Sequence, residues 1–239
     1  MHVLKGVEKA AKRLVPKQWR KYFRASRYEV LMDRLSPVDL IVHVGAHWAE
    51  DAALYEKYGA KTVLWIEADP DTYAKLTSVL AERDSPTRHL AECALVSATE
   101  GEELSFHRFN GDGSSSSLHT VTDTMRARFP GVEESGETLE MTSRTLPEIL
   151  ARHGIDVAQA TRSMLVVDVQ GHELSVLRGL GKALSAFTLC KCEVSRVPMY
   201  EGGAMFKDID AHFRGLGFRL ASHWYAQVPR HGDVLYRRD

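Results

Sequence analysis

From residue 40 onward, short apolar runs alternate with stretches whose apolar positions recur at helical spacing. The runs at 40–44, 62–67, 89–96, 103–108, 138–142, 164–168, 188–194, 218–224 and 234–237 have the length and content of strands. Helical patterns at 49–58, 71–83, 146–153, 173–184 and 205–216 lie between many of them. Such alternation predicts an α/β fold, a mostly parallel sheet with helices on both faces. Only a Pro/Gly turn separates the last two runs, too short for the helical crossover that parallel neighbours need, so the sheet is expected to finish with an antiparallel pair.

Residues 98–142 have a different texture. "EGEELSFHRFNGDGSSSSLHTV" reads as a hairpin or strand pair followed by a Gly/Ser loop, and "ARFPGVEESGETLE" as a further loop. Together they read as a β-rich insertion over the carboxyl edge of the sheet. Residues 1–36 read as a helical N-terminal lead-in, and 37–239 as one domain.

The lead-in carries most of the charge asymmetry. Nine Lys/Arg stand against Glu8 within residues 1–28, with Val3, Leu4, Trp19 and Phe23 interspersed. This reads as one or two basic helices broken at Pro16, either solvated and packed on the domain or in weak contact with an anionic surface or a partner. No apolar core follows these charges, so a secretion signal is not expected. Nor does any run approach the roughly 18 apolar residues of a membrane span. The whole chain has a net charge of −1, which gives no reason to expect a nucleic-acid partner. Cys93, Cys190 and Cys192 are an odd number, and the last two have strand spacing. That suits neither a zinc knuckle nor a redox pair, and points to core thiols in a reducing cytoplasm.

In an open α/β sheet the ligand lies beyond the carboxyl ends of the strands. "VHVGAH" places Gly45, Ala46 and His47 after the first strand, and Glu67 ends the second. An acid about 20 residues past the turn accepts hydrogen bonds from ribose hydroxyls. A pyrophosphate needs several glycines so that backbone can wrap it, and here Gly45 stands alone before Ala46, His47 and Ala49. The turn is a poor dinucleotide cradle.

The block "SMLVVDVQGHEL" is more specific, an apolar strand running into Asp168-Val169-Gln170-Gly171-His172-Glu173. It resembles the recurring block of the FkbM family of S-adenosylmethionine (SAM) dependent methyltransferases. Further pieces match in order: Gly45-Ala46, "IEADP" ending at Pro70, "CAL" at 93–95, "GSSSSL" at 113–118, Glu193, "MYEGG" at 199–203 and Gly217-Phe218. The resemblance spans about residues 38–239. It implies a Rossmann-like class I SAM methyltransferase fold, a mostly parallel seven-stranded sheet with an antiparallel last strand. SAM has no phosphate, which suits the single-glycine turn. The chain departs from the family's usual residues at His43 (often Asp), His47 (Asn), Ala49 (Gly) and Val166 (Lys).

The resemblance implies SAM contacts at His43, Gly45, Ala46 and His47 in the first turn. It adds Glu67 and Ala68, Ala94, Ser115 and Asp168, with S-adenosylhomocysteine (SAH) as product. Methyl transfer to an alcohol needs an in-line acceptor and a base. Asp168 and His172 are the candidate bases, with Glu193 orienting substrate or a water. The implied acceptor is a hydroxyl of a sugar, glycan precursor or natural product. Each residue also has a plainer reading. His43 suits a hydrogen-bonded core histidine, His172 an exposed first-turn residue, Glu173 a macrodipole acid, and Ser114 to Ser117 a flexible loop. Asp168 with Glu193 could also hold a divalent ion through oxygen ligands. Two alternative functions stand beside methyl transfer: a NAD(P)-dependent oxidoreductase, and a SAM-fold binding module without catalysis.

Overall fold

The computed structural model describes residues 27–110, 115–223 and 231–238. The basic segment 1–26, Ser114 and Trp224 lie outside them. The strands are β1 (Leu40–Val44), β2 (Thr62–Glu67), β3 (Arg88–Cys93), β4 (Leu95–Val96), β5 (Glu103–Phe109), β6 (Glu134–Arg144), β7 (Ser163–Val167), β8 (Leu189–Ser195), β9 (Arg219–His223) and β10 (His231–Arg237). The α-helices are α1 (Arg27–Leu35), α2 (Ala52–Lys57), α3 (Pro70–Ala81), α4 (Asp123–Arg128), α5 (Leu146–Arg152), α6 (Glu173–Leu180) and α7 (Phe206–Gly215).

The main sheet has seven strands in the order β3-β2-β1-β7-β8-β10-β9. β3, β2, β1, β7 and β8 are mutually parallel, and β10 runs antiparallel to both β8 and β9. This is the expected mostly parallel sheet with an antiparallel last strand. All five positions of β1 and of β7 are buried, because helices cover both faces. The period of two sorts them. Leu40, Val42, Val44, Leu165 and Val167 pack with Ile149, Leu177 and Phe213 on one face, whereas Ile41, Val63, Trp65 and Val166 pack with Met32, Tyr55 and Leu76 on the other.

Chain order reverses between β1 and β7, where Val44 is paired with both Ile66 and Val167. The carboxyl ends of β2, β1 and β7 are therefore level, and a crevice opens beyond them. A second sheet, β4-β6-β5, is built on the insertion, with β5 and β6 antiparallel and β4 parallel to β6.

Several expected bounds change. The run 89–96 divides at Ala94 into β3, in the main sheet, and β4, in the small one. Its apolar residues serve two sheets, which the pattern of one continuous run conceals. The helix expected over 173–184 ends at Leu180, where Gly181 takes φ 52, and continues as a 3-10 turn. Strand β7 stops at Val167, leaving Asp168 on the turn beyond it. Helix α4 was not expected in the insertion. It is six residues long, too short for a helical period to show, and is capped by the Thr122 hydroxyl, which accepts from the Met125 N–H.

Candidate active site

At the β1 end, Gly45 has φ 79, and a Cβ there would lie 1.8 Å from the Asp168 carbonyl oxygen. Glycine is thus required because the turn rests on the backbone that follows β7. His47 and Ala49 also have positive φ, 45 and 60. These are the two positions where the family often has Asn and Gly, the residues that adopt this conformation at least cost. Every backbone N–H from 45 to 49 has an acceptor within the protein. Gly45 and Ala46 donate to the Ile66 carbonyl at 2.9 and 3.1 Å, and Ala49 to that of Ala46 at 3.0 Å. His47 donates to Glu67 Oε2 at 2.9 Å, and Trp48 to Glu50 Oε2 at 3.1 Å.

Glu67 closes β2 and is 9% exposed. Its other oxygen accepts from the Asp69 N–H at 2.9 Å, so the carboxylate ties the β1 turn to the β2–α3 loop. Burial pushes its pKa up, against the pull of the Asp69, His47 and Ala68 amides. Asp69 caps α3, accepting from Asp71 and Thr72, with Pro70 at the first helical position. From the insertion, Arg108 grips Asp69 with two hydrogen bonds, of 2.7 and 2.9 Å. This fork fastens the antiparallel β5–β6 pair beside the Glu67 loop.

The serine loop is pinned on the other side. The Ser117 hydroxyl donates to the Gln170 carbonyl at 2.7 Å and its backbone pairs with His107, while Phe109 N–H donates to Ser116 Oγ. The insertion thereby roofs a cavity of about 380 Å³, within the 300–1,000 Å³ range of small-molecule sites.

Beyond β7 the chain turns through Gln170 (φ 53) and Gly171 (φ 101). Gln170 Nε2 donates to Asp168 Oδ1 at 2.5 Å and to Glu193 Oε2 at 3.2 Å, and its own oxygen accepts from the Tyr200 hydroxyl. A Cβ on Gly171 would meet that of Tyr200 at 2.9 Å, so this glycine permits the tyrosine's approach. Glu173 stands in the first turn of α6, where an acid faces the helix macrodipole, and it is also buried. It is 3% exposed, and one oxygen accepts from the Val169 and Gly171 amides.

Carboxyl oxygens of Asp168, Glu173 and Glu193 lie within 4.8 Å of one another, a spacing that oxygen ligands of a divalent ion can also have. Burial first, then neighbouring negative charge, raises all three pKa values. Asp168 is held well above its ordinary range, Glu173 at about 7 and Glu193 at about 8. The cluster contains more carboxyl groups than it can ionise together at neutral pH. His231 Nε2 lies 3.0 Å from Glu193, and burial lowers the pKa of its ring.

His172 precedes α6, with Nε2 3.1 Å from Ser97 Oγ and Nδ1 3.4 Å from His119 Nε2. Burial, then His119, lowers its pKa to about 4, so the ring is neutral at physiological pH. His43 is 7% exposed, with Nδ1 3.0 Å from the Tyr55 hydroxyl and Trp65 against its ring. Its pKa also falls to about 4, mainly through burial. It is both a hydrogen-bonded core histidine and part of the cavity wall.

His43, Gly45, Ala46 and His47 line the cavity together, as do Glu67, Ala68 and Ala94 and, from the opposite side, Ser115, Asp168 and His172. Glu193 stands behind this wall, in an adjoining recess with Glu173, Tyr200 and His231. Sequence reasoning missed Phe106, Gln170, Asp51 and Lys191. Gln170 lay inside the quoted block and could have been found there. Lys191 sat in an apolar strand between two cysteines, and the strand period alone could have placed it on the same face as Glu193.

The family model described as "Methyltransferase FkbM domain" matches residues 42–220. No curated protein sequence matches the chain. Among solved structures, WbdD, crystallised with a kinase inhibitor, has 11% identity and a TM-score of 0.50, covering 94% of this chain and 41% of that one. Magnesium protoporphyrin IX methyltransferase from Synechocystis PCC 6803, with bound SAM, has 11% identity and a TM-score of 0.42, covering 89% and 76%. A TehB-like SAM-dependent methyltransferase from Corynebacterium glutamicum has 11% identity and a TM-score of 0.40, covering 97% of each chain. Identities this low are likenesses of fold alone.

Proposed function

The chain belongs to the FkbM methyltransferase family, and from that premise we propose that it is a SAM-dependent O-methyltransferase acting on a hydroxyl of a sugar, glycan precursor or natural product. One observation carries the choice of ligand. With all five N–H groups of residues 45–49 engaged inside the protein, the turn offers no cradle to a pyrophosphate. This counts against the nicotinamide alternative and leaves a nucleoside ligand without phosphate. The walls suit it. Glu67 keeps lone-pair capacity for ribose hydroxyls beside the backbone amides it accepts from, and Ile66, Leu95 and Phe106 give an apolar surface for a purine.

When bound, SAM supplies an electrophilic methyl group on a sulfonium. The residues of the chain hold the acceptor and manage its proton. Asp168, on the cavity wall at the end of β7, takes the proton of the acceptor hydroxyl, while Gln170 fixes its carboxyl against Glu193. Its pKa is raised by burial and then by Glu193 and Asp233, so positive charge in the cavity favours the ionised form that a base requires. The neutral His172 ring, with a partner at each nitrogen, holds the far side of the Gln170 turn.

The acceptor reading rests on the family. Among the described residues no helix is long and apolar enough to cross a membrane. The described cysteines are all free thiols, which supports a reducing, cytoplasmic setting. Contact of residues 1–28 with an anionic surface is part of the same proposal.

The test is calorimetric titration with SAM, SAH and NADH, followed by an acceptor screen with Asp168→Asn as control. Micromolar binding of the first two, silence with NADH, and lost turnover in a folded Asp168→Asn are expected. Binding of NADH alone would overturn the cofactor, and an active Asp168→Asn would overturn the base.

A further inference from the structure

Lys191 projects from β8 on the face that also carries Glu193, and lines the same cavity as Glu67. Among the described residues it is the sole lysine or arginine in that wall, whose acids are Glu50, Asp51, Glu67 and Asp168. Its ammonium lies 3.1 Å from Asp233 and 3.9 Å from Asp51, and its side chain is 17% exposed. Lys191 is paired across the sheet with Val166 and Leu235, and its only charged register neighbours are two positions away. The Lys191 ammonium is thus held between aspartates from β10 and from the start of α2.

SAM has one anionic group, the carboxylate of its amino-acid tail. A carboxylate leaving water needs a cation or backbone donors. The donors of the β1 turn are already used, by Ile66, Glu67, Glu50 and Ala46. The cavity reaches from Glu67 on β2 past the end of β1 to Asp168 and Lys191, so with the ribose at Glu67 the tail would have Lys191 within the same cavity. We propose that Lys191 is the residue that recognises the tail carboxylate of the cofactor, with Asp51 beside it for the tail ammonium, making this pair the determinant that separates SAM and SAH from tail-less nucleosides. The inference rests on the cofactor reading above and assigns residues that neither the turn motif nor the Asp-Val-Gln-Gly block contains.

The experiment is calorimetric titration of the full chain with two ligands, SAH and 5′-methylthioadenosine, which keeps the nucleoside and thioether but lacks the amino-acid tail. In Lys191→Met, SAH affinity should fall about 10- to 100-fold, the range of a charge-assisted hydrogen bond, with affinity for 5′-methylthioadenosine unchanged. The unchanged ligand reports that the cavity is folded. Should Lys191→Met not fold, Lys191→Gln, which retains length and a donor but no charge, is judged by the same pair. Equal SAH affinity, or equal losses on both ligands, would overturn the assignment of Lys191 while leaving the cofactor reading in place. Wild-type protein that binds neither ligand would overturn both.

Discussion

The carboxyl cluster behind the cavity makes SAM binding a proton-linked event, and Glu193→Gln isolates it. Glu193 has a pKa of about 8, raised first by burial and then by Glu173 and Asp233. It is then about 3% ionised at pH 6.5 and about 75% ionised at pH 8.5. A cationic ligand in the adjoining cavity favours the ionised form, so the bound state holds fewer protons than the free state. Affinity must therefore rise with pH, and over this interval the gain reaches about 25-fold, or about 1.9 kcal/mol. SAH has a neutral thioether in place of the sulfonium and should lack this component. Glutamine keeps an acceptor towards Gln170 and His231 but cannot titrate. The amine of SAM titrates alike against both proteins, so the ratio of wild-type to variant affinity removes it. Calorimetry in two buffers of different ionisation enthalpy counts the released proton directly, and close to one is expected below pH 7.5. A wild-type to variant ratio that stays constant from pH 6.5 to 8.5 would refute the linkage between Glu193 ionisation and SAM binding.

Three further outcomes follow from the same geometry. Glu67→Ala removes the carboxylate that joins His47 to Asp69, and should weaken SAM binding by about 1.5–3 kcal/mol in calorimetry, whereas unchanged affinity would displace the ribose from this acid. Gly45→Ala forces a Cβ into the Asp168 carbonyl at positive φ, and should lower stability by about 2–4 kcal/mol in urea unfolding; a neutral substitution would mean that the turn does not rest on β7. Glu173 has its pKa raised from 4.5 to about 7, so the folded state holds a proton that the unfolded state has already lost. Its contribution is therefore lost as pH rises from about 4.5 to 7, by up to about 3 kcal/mol in all. Glu173→Gln retains an acceptor for Val169 and Gly171 and should be the more stable protein at pH 8 and not at pH 4.5. An equal change at both pH values in denaturant melts would contradict this.

The architecture was legible because each element advertises itself locally. Predominantly apolar strands such as "LIVHV" and "SMLVV" occur where both sheet faces are covered, and a short final turn admits only antiparallel neighbours. The ends of β1, β2 and β7 were legible for the same reason, since Gly45, Glu67 and Asp168 each sit where a strand stops. What the sequence could not convey was distance between residues far apart in the chain. Lys191 became a wall of the cavity because β8 pairs with β7 in a register that puts it beside Val166, level with His43 on β1. The division of one apolar run between β3 and β4, Arg108 gripping Asp69, and Ser117 pinned to Gln170 depend likewise on contacts between distant segments. The protonation of Asp168, Glu173 and Glu193 is set by burial and mutual repulsion, which exist only once the strands have assembled. Sequence by itself determined the fold class and which strand ends face the ligand, because hydrophobic periodicity and turn chemistry are local. Tertiary structure decided which charges share that space, because electrostatic energy depends on separation and burial, and neither is written along a single strand.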